Sequence, residues 1–157
     1  MPRLARALVA GSLLWTALLF AAPLALASSD PPVSRAGSLV YLAGAFVCHQ
    51  RPERSFHLAG VPLPVCARCA ALYVSAVAGA LGAIVFATGS VAERRARWLL
   101  GLAAVPTVTT VAVELLGLAH PSNAARAISA LPLGAAAAWV VIAMTRYGSV
   151  FTRRGSA

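Results

Sequence analysis

All three cysteines of the chain lie in one short segment, Cys48–Cys69, which also holds two of the three histidines. Cys66 and Cys69 form a CxxC pair, and this spacing places both thiols on one face if a helix begins there. The helix dipole and the unpaired backbone N–H groups of a first turn favour thiolates, and Arg68 adds positive charge. Thiolates in such a position suit metal binding and redox chemistry equally well.

A metal site is the first interpretation of this segment. Zinc requires four nitrogen or sulfur ligands in a tetrahedron, usually supplied as two closely spaced pairs. We expect the CxxC pair to supply one half of the site, and Cys48 with His49 to supply the other half. Because adjacent side chains tend to diverge, His57 is an alternative to His49. The predicted ligands are therefore Cys48, His49, Cys66 and Cys69, and the predicted cofactor is zinc.

The same cysteines allow two further interpretations. Cys66 and Cys69 could form a reversible disulfide on the oxidising side of a membrane, with Cys48 as a resolving or spare thiol. They could also form a purely structural disulfide and leave one buried cysteine. A covalently attached c-type haem is disfavoured, because its motif is CxxCH and Ala70 follows Cys69.

A second group of polar residues lies further along the chain. Glu114 stands near the end of an apolar run, and a charge in such a run usually faces the protein interior and has a partner. Arg126, at the start of the next apolar run, is the nearest cation, and Arg54 and Arg68 compete with it. Asn123 is expected to cap the following helix. Glu114 is thus a candidate catalytic base, although a structural ion pair explains it equally well.

The chain as a whole is too apolar for a water-soluble domain. Of its 157 residues, 60% are hydrophobic and only 11% are charged, whereas a soluble domain carries roughly 25% charged residues. We therefore predict a membrane protein whose partner is the lipid bilayer. The net charge of +9 could indicate nucleic-acid binding, but the arginines flank apolar runs instead of forming a stripe with aromatic residues. We expect no nucleic-acid partner.

Four apolar runs are each long enough to cross a bilayer, which takes about 20 helical residues. The predicted fold class is an all-α, polytopic helical bundle in a single membrane domain, residues 1–157. A long exoplasmic loop, 28–68, carries the Cys/His cluster. A shorter apolar run, Gly37–Val47, predicts a buried or interfacial helix within that loop. The four predicted spans are residues 7–27, 69–89, 98–119 and 127–144.

The first apolar run has an alternative interpretation as a cleaved signal peptide. Arg3 and Arg6, an apolar core and the sequence ALA at 25–27 fit that pattern. The apolar run is about 21 residues long, whereas the core of a signal peptide usually has 7 to 15. Its length favours an uncleaved helix, and residues 28–68 lie on the same side of the membrane in both cases.

The distribution of arginines predicts the orientation. Eight arginines fall at the amino end, between the second and third spans, and in the tail, and five fall on the other side. By the positive-inside rule, both termini are cytoplasmic and the cysteine segment faces outward. We expect a multi-pass protein of the bacterial cell membrane. The eight inner arginines are Arg3, Arg6, Arg94, Arg95, Arg97, Arg146, Arg153 and Arg154.

Several motifs resemble a known family. The segments CHQRPERSF and LPVCARC, followed by PSNAAR, are similar to the motifs of the bacterial membrane family called domain of unknown function 2085. The resemblance covers roughly Cys48–Gly134 and implies a small polytopic membrane protein without an established activity. Ala70 and Ala71 replace the usual Thr-Gly, and such small residues should keep helices close. Matching residues expected to support the site are Arg54, Ser55, Arg68, Tyr73, Asn123 and Arg126.

Three functional classes follow from these patterns. A metal-binding membrane protein is the first expectation. A membrane thiol–disulfide oxidoreductase that uses Cys66 and Cys69 is the alternative, although such enzymes normally carry a second cysteine pair and this chain has only Cys48 left over. A structural or accessory membrane subunit without chemistry is the third.

Overall fold

The computed structural model describes residues 2–89 and 91–147. Arg153 and Arg154, counted above for orientation, lie outside the described residues. Five α-helices make up most of the described chain, and a 3₁₀ turn, Pro52–Arg54, and a small β-hairpin connect the second helix to the third. The helices are α1 (Arg3–Leu26), α2 (Pro31–Ala45), α3 (Ala67–Phe86), α4 (Glu93–Leu115) and α5 (Asn123–Tyr147), and the strands are β1 (His57–Leu58) and β2 (Val61–Pro62).

Four of the helices, α1, α3, α4 and α5, are long and apolar enough to cross a membrane. The prediction of an all-α membrane bundle with four such helices is confirmed. Helix α2 has 15 residues, too few to span a bilayer. It begins before the predicted Gly37, because Pro31 and Pro32 fit the first turn of a helix, where their missing N–H groups cost nothing.

The ends of α4 and α5 differ from the predicted boundaries for identifiable reasons. Helix α4 ends at Leu115, earlier than the predicted residue 119, because Gly117 adopts a φ of +67°. The Gly117 N–H donates to the Glu114 carbonyl at 3.2 Å and the Leu118 N–H to the Val113 carbonyl at 3.0 Å, a Schellman motif. At the start of α5, the expected cap at Asn123 is wrong, since the Ser122 hydroxyl accepts the Ala125 N–H at 3.2 Å.

Helices α3 and α5 form the most extensively packed pair in the bundle. A Cβ atom at Gly79 would lie 2.1 Å from the Ala135 carbonyl oxygen, and one at Gly134 would lie 2.3 Å from that of Leu72. Only glycine allows backbones to approach this closely. Helix α1 packs on α2 and α3, and α4 packs on α5. Ala70 of α3 is buried on the side of α1, in a cluster with Leu19, Leu63 and Val65.

The segment predicted as a long loop, residues 28–68, is largely folded. It comprises α2, the 3₁₀ turn and the hairpin, and we call residues 28–66 the cap segment. Leu63 and Val65 of this segment are buried against Leu19 of α1. The Gln50 side-chain amide donates to the Tyr41 carbonyl at 2.6 Å and to the Pro64 carbonyl at 2.8 Å. These bonds tie α2 to the start of α3.

The two ends of the bundle differ in character. The cap segment meets the carboxyl ends of α1 and α4 and the amino ends of α3 and α5, as shown by the bond from Asn123 Nδ2 to the Ser55 carbonyl at 3.1 Å. At the opposite end, Arg146 donates to the carbonyls of Ala83 and Ile84 at 2.8 Å. An arginine in the last turn of α5 thereby binds carbonyls of the last turn of α3 and ties these two helix ends together.

Candidate functional site

The three cysteines come together where the cap segment meets α3. Their Sγ atoms all lie within 4.8 Å of one another, so the predicted clustering is confirmed. Cys66 directly precedes α3 and Cys69 lies in its first turn. Cys48 follows α2, where its N–H donates to the Gly44 carbonyl at 2.9 Å. All three thiols are free within the described chain.

Local hydrogen bonds favour the thiolate form of Cys66. A hydrogen bond from the Cys69 thiol lowers the pKa of the Cys66 thiol, and the backbone N–H of Cys69 acts in the same direction, whereas burial opposes both. The Cys66 N–H in turn donates to Cys48 Sγ at 3.2 Å. The backbone at the start of α3 therefore supports negative charge on the Cys66 sulfur, as expected for the beginning of a helix.

The two histidines predicted as ligands are placed differently. Among the described residues, the cysteines alone form a set of potential ligands whose atoms lie within 4.8 Å of one another. His49 is exposed but lines the same cavity as the cysteines. His57 is exposed on β1 and does not line that cavity. The structure thus brings three of the four predicted ligands together and leaves His49 beside them.

The cavity next to the sulfurs has a volume of about 430 Å³. Its wall combines thiols with guanidinium groups, and two apolar side chains, Val47 and Leu115, complete one side. The charged lining therefore comes from the turn after α2 and from the starts of α3 and α5. The four arginines of the wall are Arg51, Arg54, Arg68 and Arg126.

Glu114 binds three of these arginines at once. Its Oε1 lies 2.9 Å from the Nη2 atoms of both Arg54 and Arg126, and its Oε2 lies 3.6 Å from Nη2 of Arg68. Arg126 was the expected partner, with Arg54 and Arg68 as competitors, and all three contact the carboxylate. Because three guanidinium cations surround Glu114 and stabilise its charged form, this carboxylate is poorly placed to take a proton from a ligand.

Asn123 and Ser55 connect this ion-pair cluster to the cap segment. Arg126 Nη1 donates to Asn123 Oδ1 at 3.0 Å, and Asn123 Nδ2 donates to the carbonyls of Ser55 and Glu53. The Ser55 hydroxyl donates to the Arg51 carbonyl at 3.0 Å and is buried. Both side chains hold the 3₁₀ turn over α5, which is a positioning role.

Tyr73 lies outside the cavity. Its ring packs edge-on against Trp15 with centroids 6.0 Å apart, and it borders the buried cluster that also touches Cys48 and Cys69. This contact ties α1 to α3 behind the cysteines. Tyr73 is therefore placed to support the site from the protein interior and not to bind a ligand in the cavity.

Sequence reasoning missed a hydroxyl network within the bundle. Thr110 Oγ1 lies 3.4 Å from Arg68 Nη2 and 3.1 Å from Ser129 Oγ, and Thr107 Oγ1 donates to the Ser129 carbonyl at 2.8 Å. The network gives Arg68 a neutral partner and joins α4 to α5. The available signal was the spacing of Thr107 and Thr110, which places two hydroxyls on one face of an apolar helix.

The stretch that builds this site matches a known family. The family model described as "Predicted membrane protein (DUF2085)" matches residues 48–140, more than half of the chain. The chain belongs to the DUF2085 family. The match contains all three cysteines, Glu114 and the four arginines of the cavity, whereas α1 and α2 precede it.

Two relatives are uncharacterized archaeal proteins. One, from Methanothermobacter thermautotrophicus, is 33% identical over 97 residues, which cover 61% of this chain and 85% of the relative. Another, from Methanocaldococcus jannaschii, is 28% identical over 95 residues, which cover 60% of this chain and 61% of the relative. The family thus extends to archaea, and the expectation of a bacterial protein is not confirmed. No solved structure matches the chain.

Proposed function

We propose that this membrane protein binds a thiophilic metal ion, of which zinc is the best fit, through Cys48, Cys66 and Cys69. The proposal depends on one observation, the approach of the three sulfur atoms to within 4.8 Å of one another. Sulfur ligands of one tetrahedral zinc ion lie about 3.8 Å apart when each Zn–S bond is about 2.3 Å. The sulfur atoms would therefore have to move closer together by at most about 1 Å.

The surroundings of the sulfurs also suit a bound cation with thiolate ligands. Metal binding requires deprotonated thiols. Besides the hydrogen bond from the Cys69 thiol, the backbone N–H groups of Arg68 and Cys69 lower the pKa of Cys66, and these backbone bonds remain when Cys69 is itself deprotonated. Cys48 Sγ already accepts a backbone N–H bond, a type of contact that orients and stabilises a ligand sulfur. The arginines of the cavity offset the negative charge that three thiolates place on one ion.

We propose His49 as the fourth ligand. It follows Cys48 directly in the chain and lines the same cavity as the three cysteines. His57 is less suitable, because it lies on β1 away from the cavity. With His49 bound, the ion would stabilise the junction of the cap segment with α3. With a water in place of His49, the ion would keep the open position typical of catalytic zinc.

Elemental analysis of detergent-purified protein, together with a thiol count, tests the proposal. We expect close to one zinc ion per chain and three thiols that become reactive only after the metal is chelated. Replacing any one cysteine by serine should abolish stoichiometric binding, since two sulfur ligands remain. His49→Ala should weaken zinc binding, whereas the matched control His57→Ala should not.

A different outcome would support the thiol–disulfide alternative. Protein without bound metal that shows one reactive thiol before reduction and three after it contains a disulfide, and the metal proposal is then wrong. Cys66 and Cys69 would be the expected pair, because they flank one helical turn.

A further inference from the structure

We infer that the cavity beside the cysteines binds an oxyanion of the phosphate type through its arginine side chains. Within a volume of about 430 Å³ the cavity wall presents four guanidinium groups contributed by three separate parts of the chain. Such a wall is unusual near the end of a membrane bundle, where each unpaired charge is costly. The arginines concerned are Arg51, Arg54, Arg68 and Arg126.

The protein supplies too little negative charge for these four arginines, because Glu114 contributes one negative charge and a zinc ion held by the three thiolates of the same cavity would add one more. Among the described residues, Glu114 is the one carboxylate that pairs with them, and it contacts Arg54, Arg68 and Arg126 together. Arg51 has no carboxylate partner within the same part of the chain. Four cations around one carboxylate leave a strong positive potential in a partly enclosed space, and such a space attracts anions.

Two buried donors point to the same conclusion. The Nε–H groups of Arg68 and Arg126 are buried and have no hydrogen-bond partner among the described residues. The Arg126 side chain is only 9% exposed, so bulk water does not compensate for the missing partner. Buried polar groups without a partner are rare and commonly indicate a bound ion or water. The hydrogen-bonding capacity of the site therefore exceeds what the protein uses.

The chemistry of the wall favours a phosphomonoester over other anions. Guanidinium groups match the geometry of phosphate oxygens with pairs of parallel hydrogen bonds. A phosphomonoester carries between one and two negative charges at neutral pH and therefore balances the excess better than a carboxylate does. The cavity is large enough for the phosphate together with part of its substituent.

Two apolar side chains at the cavity indicate where that substituent lies. Val47 and Leu115 belong to the lining and are 55% and 81% exposed. Leu115 is the last residue of α4. The phosphate would therefore bind near the membrane surface, where the helices emerge from the hydrocarbon core. The phosphate could belong to a lipid headgroup or to a soluble ester, and both present the same group to the arginines.

The test uses the full-length protein in detergent and inorganic phosphate as the probe, with sodium chloride at equal ionic strength as the reference. Arg51→Gln is the test variant, because Arg51 lines the cavity but lies outside the Glu114 ion pairs, and the protein should remain folded. Arg35→Gln is the matched control, since it removes one exposed arginine of α2 that does not line the cavity.

Calorimetry should show saturable phosphate binding that Arg51→Gln weakens about tenfold or more, the usual effect of losing a charged hydrogen bond. Arg35→Gln should change the affinity less than twofold. Arg54→Lys keeps the charge but loses the planar fork, and it should also weaken binding. The inference does not depend on the metal proposal, because metal content is measured separately on the same samples.

A second arm identifies the source of the phosphate. The protein is placed in lipid nanodiscs of phosphatidylcholine with or without phosphatidic acid, a lipid phosphomonoester. Retention of phosphatidic acid by the unmodified protein but not by Arg51→Gln supports a lipid ligand, and unchanged phosphate binding in both bilayers supports a soluble one. If neither phosphate nor phosphatidic acid binds saturably, the inference is overturned. It is also overturned if Arg35→Gln weakens binding as much as Arg51→Gln does.

Discussion

Glu114 joins three parts of the chain that are distant in sequence. Arg54 comes from the 3₁₀ turn, Arg68 from α3 and Arg126 from α5, and each places an Nη2 atom at the same carboxylate. The Glu114 side chain is only 9% exposed. Removing a buried charge that serves several partners leaves those partners unpaired. We therefore propose that Glu114 stabilises the site and holds its arginines in place.

This role predicts a large effect of Glu114→Gln on stability. The substitution should destabilise the folded protein by about 3–5 kcal/mol, the usual cost of breaking a buried ion pair. Glu93→Gln is the control, because Glu93 pairs with Arg97 on an exposed helix surface and such pairs contribute at most about 1 kcal/mol. Thermal unfolding in detergent measures the stability of both variants, Glu114→Gln and Glu93→Gln. Equal midpoints for the two variants would contradict the proposed role.

Residue types and spacing predicted where Cys66 and Cys69 lie, but they did not predict the cap of α5 or the position of His49. Cys66 and Cys69 were placed correctly because a CxxC at the start of a helix has one geometry. The cap of α5 was missed because Ser122 and Asn123 are both good capping residues, and a shift of one residue decides between them. His49 lines the cavity but stays outside the group of three sulfurs, because adjacent side chains in a chain tend to diverge.

At the scale of the elements, the α3–α5 pair forms the centre of the bundle. Its close approach depends on Gly79 and Gly134, which lie against the backbones of the facing helices. In a bilayer, helices associate mainly through such close packing, because the hydrophobic effect does not distinguish a neighbouring helix from lipid. The same pair carries Cys69, Arg68 and Arg126, so its geometry sets the shape of the cavity.

Gly79→Ala should therefore disturb the bundle. The added Cβ atom would lie 2.1 Å from the Ala135 carbonyl oxygen, so α3 and α5 must separate, and we expect a destabilisation of about 1–3 kcal/mol. Gly101→Ala is the matched control, since a Cβ atom there meets nothing within 4 Å and alanine favours helix by about 0.5–1 kcal/mol. In thermal unfolding measured in detergent, the midpoint temperature should be lower for Gly79→Ala than for the unmodified protein, and it should not be lower for Gly101→Ala. If Gly101→Ala is destabilised as much as Gly79→Ala, the proposed importance of the close α3–α5 contact is contradicted.

The four long helices and the short helix of the cap segment were predicted from the sequence, whereas the 3₁₀ turn and the hairpin of the cap segment were not. Runs of about 20 apolar residues have few alternatives to a membrane helix, so all four long helices were predicted. The cap segment is held by side chain to backbone bonds, such as those of Gln50 with Tyr41 and Pro64. Gln50 itself adopts a φ of +48°. Such contacts have no periodic signature, and the part of the segment after the helix predicted at Gly37–Val47 was therefore predicted as a loop.

At the scale of the whole molecule, the cap segment, the cysteines and the cavity share one end of the bundle. Arg94, Arg95 and Arg97 lie at the start of α4 and Arg146 lies in the last turn of α5, at the opposite end. The positive-inside rule assigns that opposite end to the cytoplasm. We propose that the site faces outward and that α1, whose Leu19 is fully buried, is retained as a membrane helix.

Cysteine labelling with a membrane-impermeant maleimide on intact cells tests this orientation. Ala59→Cys, in the turn between β1 and β2, should be labelled, whereas Ala92→Cys, just before α4, should be labelled only after the cells are opened. Both positions are exposed. The unmodified protein gives the background from its own cysteines. The reverse pattern would place the site in the cytoplasm and contradict the proposed orientation.

The most direct test of the proposed metal site is X-ray absorption spectroscopy at the zinc edge on the purified protein. We predict three sulfur neighbours at about 2.3 Å and one nitrogen or oxygen neighbour at about 2.0–2.1 Å. That shell corresponds to Cys48, Cys66 and Cys69 with one further ligand. Protein without bound zinc, or zinc surrounded only by nitrogen and oxygen, would contradict the proposal that the three cysteines form a metal site.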